Sequence, residues 1–291
     1  MQQPEILPGS LEDRAVGCLA GLAIGDALGA PVEFKVRGTF PLVHGMQDGG
    51  PFNLKAGEWT DDTSMALALS DALIQDVELA DPAVVMNRWA NWFLHGAYSH
   101  NGRCFDVGNQ TSAALTAWLD QQCLPTTDTE QAGNGSIMRL APVVIARLRH
   151  PEDVLSLAER QSDFTHRNLN CRQSSRQLAA ILHDAILNGH EARLLSTSAE
   201  GLKEDDIRPT GFVLDTIKAA LWAAAPRDGF RNSLLRAVNL GGDADTVGAV
   251  TGQIAGALYG LSGIPSEWLD VLAWRSSIVE AGRALYAKSS S

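Results

Sequence analysis

The sequence predicts an all-α protein that folds as a single domain. Apolar residues recur at helical spacing over 65–73 and 178–186, which aligns them on one face of a helix. Runs of alternating β-branched residues, which would indicate strands, are absent. The chain has 291 residues, of which 45% are hydrophobic and 20% charged, so it can bury a substantial core. We therefore predict one helical domain over residues 1–291, with its core at about 11–287.

Ten helices are expected in order along the chain, each where a helical stripe lies between turn-forming residues. Their predicted ranges are 11–29, 62–77, 82–97, 109–121, 151–163, 170–189, 211–225, 228–239, 245–260 and 266–287. Residues 35–58 and 98–109 are rich in glycine or polar residues and are predicted to be loops. Long irregular segments inside a compact domain are usually functional or disordered.

Two of the predicted helices carry a glycine at every fourth position. The first has Gly17, Gly21, Gly25 and Gly29, and the second has Gly248, Gly252, Gly256 and Gly260. A glycine in a helix interior costs about 1 kcal/mol relative to alanine, so these stripes require a compensating gain. A helix face without side chains lets another backbone or a ligand come close. We favour packing in the core, with direct ligand contact as the alternative.

Charge and cysteine content exclude several classes of protein. The formal net charge of −11 argues against general nucleic-acid binding, which needs a basic face. The four cysteines show neither a CxxC pair nor the spacing of a zinc site, so we expect free thiols and a cytoplasmic protein. No signal peptide is expected at the N-terminus. The apolar stretch 15–32 contains Asp26 and four glycines, and we interpret it as too polar and too short to span a membrane.

Two acidic motifs each precede a predicted helix: "WTDDTS" at 59–64 and "NLGGDADT" at 239–246. Either motif alone suits a helix N-terminus, where Thr or Asp accepts hydrogen bonds from unpaired backbone amides. A cap needs one acceptor, whereas each motif offers two carboxylates and a hydroxyl. If the two helix starts meet, their carboxylates repel one another unless cations neutralise them. Because hard oxygen donors select Mg²⁺, Mn²⁺ or Ca²⁺ over zinc, the pair predicts a two-cation site, with simple capping as the alternative.

Three further segments are weaker candidates for ligand contacts. "AGNGSIMR" at 132–139 is a glycine-rich turn leading into a predicted helix, and its backbone amides could hold a diphosphate. "FDVGNQT" at 105–111 places Asp106 on a loop, where it could act as a base or hold substrate. "FTHRN" at 164–168 places His166 at the end of a helix. Taken singly, each of these is better explained by an ordinary turn or a structural histidine.

Together these blocks resemble the ADP-ribosylglycohydrolase family. The resemblance covers "CLAGLAIGDALGAPVEF" (18–34), "WTDDTSMALAL" (59–69), "DVGNQT" (106–111), "AGNGSIMR" (132–139), "TH" (165–166) and "NLGGDADTVGAVTGQIAGALYG" (239–260). The blocks occur in family order and are most similar to the bacterial branch typified by the dinitrogenase reductase-activating glycohydrolase. The resemblance implies a compact orthogonal multi-helix fold with a central binuclear metal cleft. It also implies two divalent cations, Mg²⁺ or Mn²⁺.

The resemblance also implies roles for individual residues. The implied metal ligands are Thr60, Asp61, Asp62, Asp243, Asp245 and Thr246, and the implied catalytic acids are Glu33 and Asp106. The implied ligand-binding residues are Asn109, Gly133, Asn134, Gly135, Ser136, His166 and Phe212. Phe212 stands where relatives carry a tyrosine stacked on adenine, so the aromatic face is kept and the hydroxyl is lost.

The function that the resemblance implies is removal of ADP-ribose from a modified protein. We expect hydrolysis of the N-glycosidic bond to arginine, with an ADP-ribosylated protein as partner and ADP-ribose as product. The alternatives are another ADP-ribose linkage (serine, a nucleic-acid base or O-acetyl-ADP-ribose) and a non-catalytic ADP-ribose binder. The metal motifs alone would also suit a magnesium-dependent phosphohydrolase. Segments 35–58 and 190–209 do not match the nitrogenase-regulating members closely, so the target protein is not implied.

Overall fold

The computed structural model of the protein describes residues 5–126 and 128–290. In these residues all regular secondary structure is helical, and β pairing is limited to two isolated bridges, which confirms the all-α prediction. The described α-helices are α1 (Leu11–Gly29), α2 (Asp61–Gln75), α3 (Ala83–His95), α4 (Asn109–Gln121), α5 (Ala141–Ala146), α6 (Pro151–Asp163), α7 (Leu169–Asn188), α8 (Leu194–Ser198), α9 (Val213–Ala224), α10 (Phe230–Val238), α11 (Ala244–Tyr259), α12 (Ser266–Val271) and α13 (Arg275–Lys288).

Nine of the ten predicted helices are found within two residues of their predicted ends. The tenth prediction, one helix over 266–287, is wrong because the chain turns between α12 and α13. There Trp274 adopts a left-handed backbone conformation (φ 57°). The amide of Ala273 donates to the Gly57 carbonyl (2.9 Å), and its carbonyl accepts from the Trp59 indole (3.0 Å). These contacts with a distant loop are invisible to periodicity, and α5 and α8 are too short to show a stripe.

The two glycine stripes pack against each other in the centre of the fold. Every residue of α1 from Ala15 to Gly29 is buried. A Cβ atom added to Gly21 would lie 2.1 Å from the Gly252 carbonyl oxygen, and one added to Gly25 would lie 2.0 Å from the Gly248 oxygen. The backbones of α1 and α11 are therefore in direct contact along their length. This arrangement confirms the interpretation of the stripes as core packing.

The length and composition of Leu11–Val32 are those of a possible membrane-spanning helix. The sequence argument that this stretch is too short and too polar was therefore wrong. In the fold, its most apolar 18-residue window is entirely buried, as expected of a core helix.

The four cysteines are unpaired, as predicted. Cys18 and Cys171 are buried, and Cys104 and Cys123 are partly or fully exposed. The Cys171 thiol donates to the Gly133 carbonyl at 3.3 Å and so contributes to the wall of the cleft described next.

Candidate active site

A cleft of about 740 Å³ lies over the first turns of α2, α4 and α11. Its walls are completed by the glycine-rich segment 133–138, the segment 209–211 and the loop that carries Asp106. Eleven of the fifteen site residues named from the sequence line this cleft: Glu33, Asp61, Asp106, Asn109, Gly133, Asn134, Gly135, His166, Asp243, Asp245 and Thr246. The other four, Thr60, Asp62, Ser136 and Phe212, do not.

Carboxylates from distant parts of the chain cluster at one side of the cleft. Oxygen atoms of Asp61, Asp62 and Asp245 lie within 4.8 Å of one another, and so do those of Glu33, Asp106 and Asp245. One oxygen each of Glu33, Asp62, Asp106 and Asp245 is buried without a hydrogen-bond partner in the described residues. Buried carboxylate oxygens without donors are costly unless a cation is bound. The donor set therefore fits hard divalent cations such as Mg²⁺ or Mn²⁺.

The cluster strongly disfavours its own negative charge. Burial, followed by the charges of Asp106 and Asp243, raises the pKa of Glu33 to about 9. Burial is also the main reason that the pKa of Asp106 rises to about 7. Burial and neighbouring carboxylates raise the pKa values of the remaining members well above their usual range: Asp61, Asp62 and Asp245. The fold thus holds acids together that repel one another when all are ionised.

The two acidic motifs meet through their threonines, as the two-cation hypothesis requires. The Thr60 hydroxyl lies 3.3 Å from Asp245 Oδ2, and the Thr246 hydroxyl lies 3.5 Å from Asp62 Oδ1. Neither Thr60 nor Asp243, which occupy the N-cap positions of α2 and α11, makes a side-chain capping bond to its own helix. Simple capping therefore does not account for these residues.

Asp26 on α1 performs the capping of α2 instead. One carboxylate oxygen accepts from the amide and hydroxyl of Thr60 (both 2.9 Å), and the other accepts from the amide (3.0 Å) and hydroxyl (2.6 Å) of Thr63. Asp26 is fully buried and fixes the orientation of the α2 N-terminus. Asp26 is not among the site residues predicted from the sequence. The sequence does contain one indication of its role, a single charge in an otherwise apolar stretch. Such a charge is buried with the stretch, and buried charges are rarely without partners.

The glycine-rich segment presents free backbone donors to the cleft. The Gly133 amide donates to the Gln110 side chain at 3.1 Å, and the Asn134 amide donates to the Gly211 carbonyl at 3.1 Å. The amides of Gly135 and Ser136 find no acceptor among the described residues. Two adjacent unpaired N–H groups form the kind of concavity that binds anions. Gln110 is a further residue that the sequence analysis did not single out.

Two side chains of this segment are engaged in hydrogen bonds with other residues. Asn134 Nδ2 donates to Asp243 Oδ2 (2.5 Å) and to Thr216 Oγ1 (3.0 Å), so this side chain positions Asp243. Ser136 is fully buried, and its hydroxyl accepts from Ser175 at 3.3 Å. Ser136 therefore supports the cleft wall from behind and does not line the cleft.

The remaining predicted residues occupy the rim and the side wall. His166 is buried, with its ring against Gly135, where an added Cβ atom would lie 2.6 Å from Cε1. Asn109, the first residue of α4, is exposed at the mouth. Asp106 adopts a left-handed backbone conformation (φ 60°). Phe212 is 40% exposed beside the cleft, so stacking of this ring on a base stays a prediction.

Comparison with known proteins identifies relatives over nearly the full chain. ADP-ribosylarginine hydrolase Tri1 of Pseudomonas putida (strain GB-1) is 40% identical over 98% of this chain and 81% of its own length. ADP-ribosyl-[dinitrogen reductase] glycohydrolase of Rhodospirillum rubrum is 34% identical over 90% of this chain and 91% of its own. A solved chain from an ADP-ribosylglycohydrolase-related protein complex has a TM-score of 0.83 and 39% identity, over 96% of this chain and 99% of that one.

The family model for ADP-ribosylglycohydrolase matches residues 7–291. That range includes the acidic cluster, the glycine-rich segment and both glycine stripes. The resemblance noted from the sequence motifs is confirmed: the chain belongs to the ADP-ribosylglycohydrolase family.

Proposed function

We propose that the protein hydrolyses the N-glycosidic bond between ADP-ribose and an arginine side chain of a modified protein, and that it uses two divalent cations to do so. The observation that carries this proposal is the buried acidic cluster, with four unpartnered carboxylate oxygens, in the same cleft as the glycine-rich segment with the unpaired amide of Gly135. One part suits cations and the other suits a diphosphate. The 40% identical relative named as an ADP-ribosylarginine hydrolase supports the linkage.

Binding of ADP-ribose follows from the two kinds of group in the cleft. The glycine-rich segment, with the unpaired Gly135 amide at the cleft wall, holds the diphosphate through local dipoles, despite the formal net charge of −11. Cations held by Asp61, Asp62 and Asp245, with the Thr60 and Thr246 hydroxyls beside them, would neutralise the cluster and orient the hydroxyls of the distal ribose.

Glu33 and Asp106 supply the acid–base chemistry at the reacting end. Both line the cleft, and burial raises the pKa of Asp106 to about 7 and that of Glu33 to about 9. Whichever of the two carboxyl groups carries a proton can deliver it to the departing guanidine. An ionised carboxylate on the other residue stabilises the positive charge that develops on the sugar ring as the C–N bond breaks, and accepts a proton from the water molecule that forms the new C–O bond at the anomeric carbon.

The decisive experiment measures free ADP-ribose released from an arginine-ADP-ribosylated protein. We expect release with Mg²⁺ or Mn²⁺ and none after EDTA, and we expect both Asp61→Ala and Asp243→Ala to abolish turnover while keeping the helical circular-dichroism spectrum. Asp120→Ala, which changes an exposed acid outside the cleft, is the matched control and should leave the rate unchanged.

A panel of substrates separates this proposal from its alternatives. Serine-linked ADP-ribose and O-acetyl-ADP-ribose should be cleaved much more slowly than the arginine-linked substrate. Full activity after complete metal removal would refute the proposed use of cations. Tight ADP-ribose binding without turnover on any linkage would instead establish a non-catalytic binder.

A further inference from the structure

A line of three buried side chains leads from the protein interior to the cleft. Arg139 is fully buried, and its guanidinium donates to Thr165 Oγ1 at 2.7 Å and to Gln161 Oε1 at 3.0 Å. Thr165 Oγ1 in turn lies 2.7 Å from Nδ1 of His166. The guanidinium has no carboxylate partner within 4.0 Å in the described residues; its carbon lies 3.9 Å from the centre of the Trp89 ring. A buried cation without a counter-ion needs an explanation beyond packing.

The hydrogen bonds of this line have a defined direction. A guanidinium only donates, so Arg139 occupies a lone pair of Thr165 Oγ1 and leaves the single hydroxyl proton for His166 Nδ1. The opposite arrangement, with a proton on Nδ1, would leave the buried Thr165 hydroxyl proton without an acceptor, which costs about 1–3 kcal/mol. Burial, and then the charge of Arg139, lowers the pKa of His166 to about 3. The imidazole is therefore neutral, with Nδ1 as acceptor and its proton on Nε2.

The Nε2 atom of His166 is directed at the glycine-rich wall of the cleft. A Cβ atom added to Gly135 would lie 2.8 Å from Nε2, and one added to Gly133 would lie 3.4 Å from it. Nε2 makes no hydrogen bond to any other described residue. His166, Gly133 and Gly135 all line the cleft, so the ring and the glycine-rich wall border the same region of it.

The same arginine also holds the other side of this region. Gln161 accepts from Arg139 through Oε1 and donates through Nε2 to the Ser136 carbonyl at 2.8 Å. Arg139 thus fixes the backbone that carries the free amides as well as the histidine ring. Neither Arg139 nor Gln161 lines the cleft, so both act through other groups.

We propose that Arg139 is a positioning residue that acts through Thr165 to hold His166, which the family resemblance already implies as a ligand-binding residue, in its Nε2–H form, so that Nε2 is fixed as a donor at the wall of the cleft. The ligand part of this inference rests on the proposed function. A neutral imidazole of fixed tautomer supplies a donor whose protonation does not change between pH 5 and 9, unlike that of an exposed histidine.

Nitrogen-15 spectra of the free protein test the tautomer directly. The chain has seven histidines, and the His166 signals are those lost in His166→Asn. We expect a protonated Nε2 and an unprotonated Nδ1 in the wild type from pH 5 to 9. Thr165→Ser keeps the hydroxyl and should keep this pattern. Thr165→Val removes the hydroxyl at nearly constant shape and should shift or mix the two tautomers. A protonated Nδ1 in the wild type overturns the inference, whatever the protein binds.

Calorimetric titration with ADP-ribose tests the functional part. We expect Thr165→Val and His166→Asn each to raise the Kd about 10-fold, and the double variant to be no weaker than His166→Asn alone, because both changes remove the same donor. Thr165→Ser should bind like the wild type. The positioning role of Arg139 and Thr165 would be overturned if Thr165→Val bound ADP-ribose as tightly as the wild type. It would also be overturned if the affinity losses of the two single variants added in full in the double variant. Thr165→Val also leaves an Arg139 donor unpaired, so its unfolding midpoint should be lower than that of Thr165→Ser; titration well below both midpoints separates loss of binding from unfolding.

The outcomes also separate the relay from the proposed function. If the wild type releases ADP-ribose normally but has Nδ1 of His166 protonated, only the positioning of His166 by Arg139 and Thr165 is refuted. A wild type with the expected tautomer that does not bind ADP-ribose refutes the proposed function, and with it the donor role of His166.

Discussion

Replacement of Gly252 by alanine tests how closely the two central helices must approach. A Cβ atom at this position would lie 1.9 Å from the Gly21 carbonyl oxygen and 2.6 Å from its carbon. Real Cβ contacts essentially never fall below 3.0 Å, so one helix must move by at least about 1.1 Å (3.0 − 1.9). Both obstacles are backbone atoms in a fully buried helix pair, so no side-chain rotation can relieve the contact.

The net effect combines two opposing terms. Insertion of extra volume into a well-packed core costs about 1–3 kcal/mol, and the rigid backbone contact places Gly252→Ala at the upper end. Removal of a glycine from a helix interior gains about 1 kcal/mol. We therefore expect a loss of about 2 kcal/mol in the free energy of unfolding, which corresponds to a melting temperature lower by about 3 °C for a chain of 291 residues.

Gly282→Ala is the matched control for this change. Gly282 is also a buried glycine inside a helix, α13, but its added Cβ atom would lie 3.2 Å from Val16 Cα. A shift of a few tenths of an ångström accommodates it, so its stability should stay within about 1 kcal/mol of the wild type. Urea titration and thermal melts measure both variants. Backbone contact does not limit the helix spacing if Gly252→Ala is as stable as the wild type, or if Gly282→Ala loses as much free energy of unfolding as Gly252→Ala.

The acidic cluster and the predicted base-stacking residue give three further predictions. The folded pKa values of Glu33 (about 9) and Asp106 (about 7) exceed their ordinary values of 4.5 and 3.8, so the folded state binds more protons than the unfolded state. The free energy of unfolding of the metal-free protein should therefore fall by about 1 kcal/mol or more as pH rises from 5 to 9. A melting temperature in EDTA that does not change over this pH range would contradict this prediction. Asp245→Asn should raise the melting temperature of the metal-free protein and abolish its stabilisation by Mg²⁺ or Mn²⁺; a lower melting temperature in EDTA would refute this. Phe212→Ala should raise the Kd for ADP-ribose about 5- to 150-fold, as expected for loss of a stack worth about 1–3 kcal/mol, while Phe212→Tyr binds normally; equal affinities by calorimetry would exclude stacking.

The sequence predicted the helices well because their signal is local. Apolar residues at 3.6-residue spacing identify a buried face without knowledge of its partner, and nine helices followed from this signal. The break between α12 and α13 at Trp274 was not predicted, because it depends on hydrogen bonds from Ala273 to Gly57 and from Trp59 to Ala273. Such contacts join residues more than 200 positions apart, and no local pattern records them.

The cluster could be predicted in part for the same reason. Each of the two acidic motifs at helix starts has more carboxylates than a helix cap needs, which predicted a cation site. The structure brings the two motifs together. The residues that orient them could not be recognised. Asp26 was one charge in an apolar helix, and Arg139 was one basic residue after a glycine-rich turn. Each acts on groups more than 20 positions away.

The glycine stripes and the acidic cluster are parts of one arrangement. The Thr60 hydroxyl contacts Asp26 on α1 at 2.9 Å and Asp245 on α11 at 3.3 Å, so the separation of these two helices sets both distances. Gly25 and Gly248, whose backbones touch, are close in sequence to these two acids. Side chains at the stripe would move α1 and α11 apart and draw Asp245 away from Thr60. The helix-propensity cost of each glycine, about 1 kcal/mol, is therefore offset by a spacing that the carboxylate cluster itself requires.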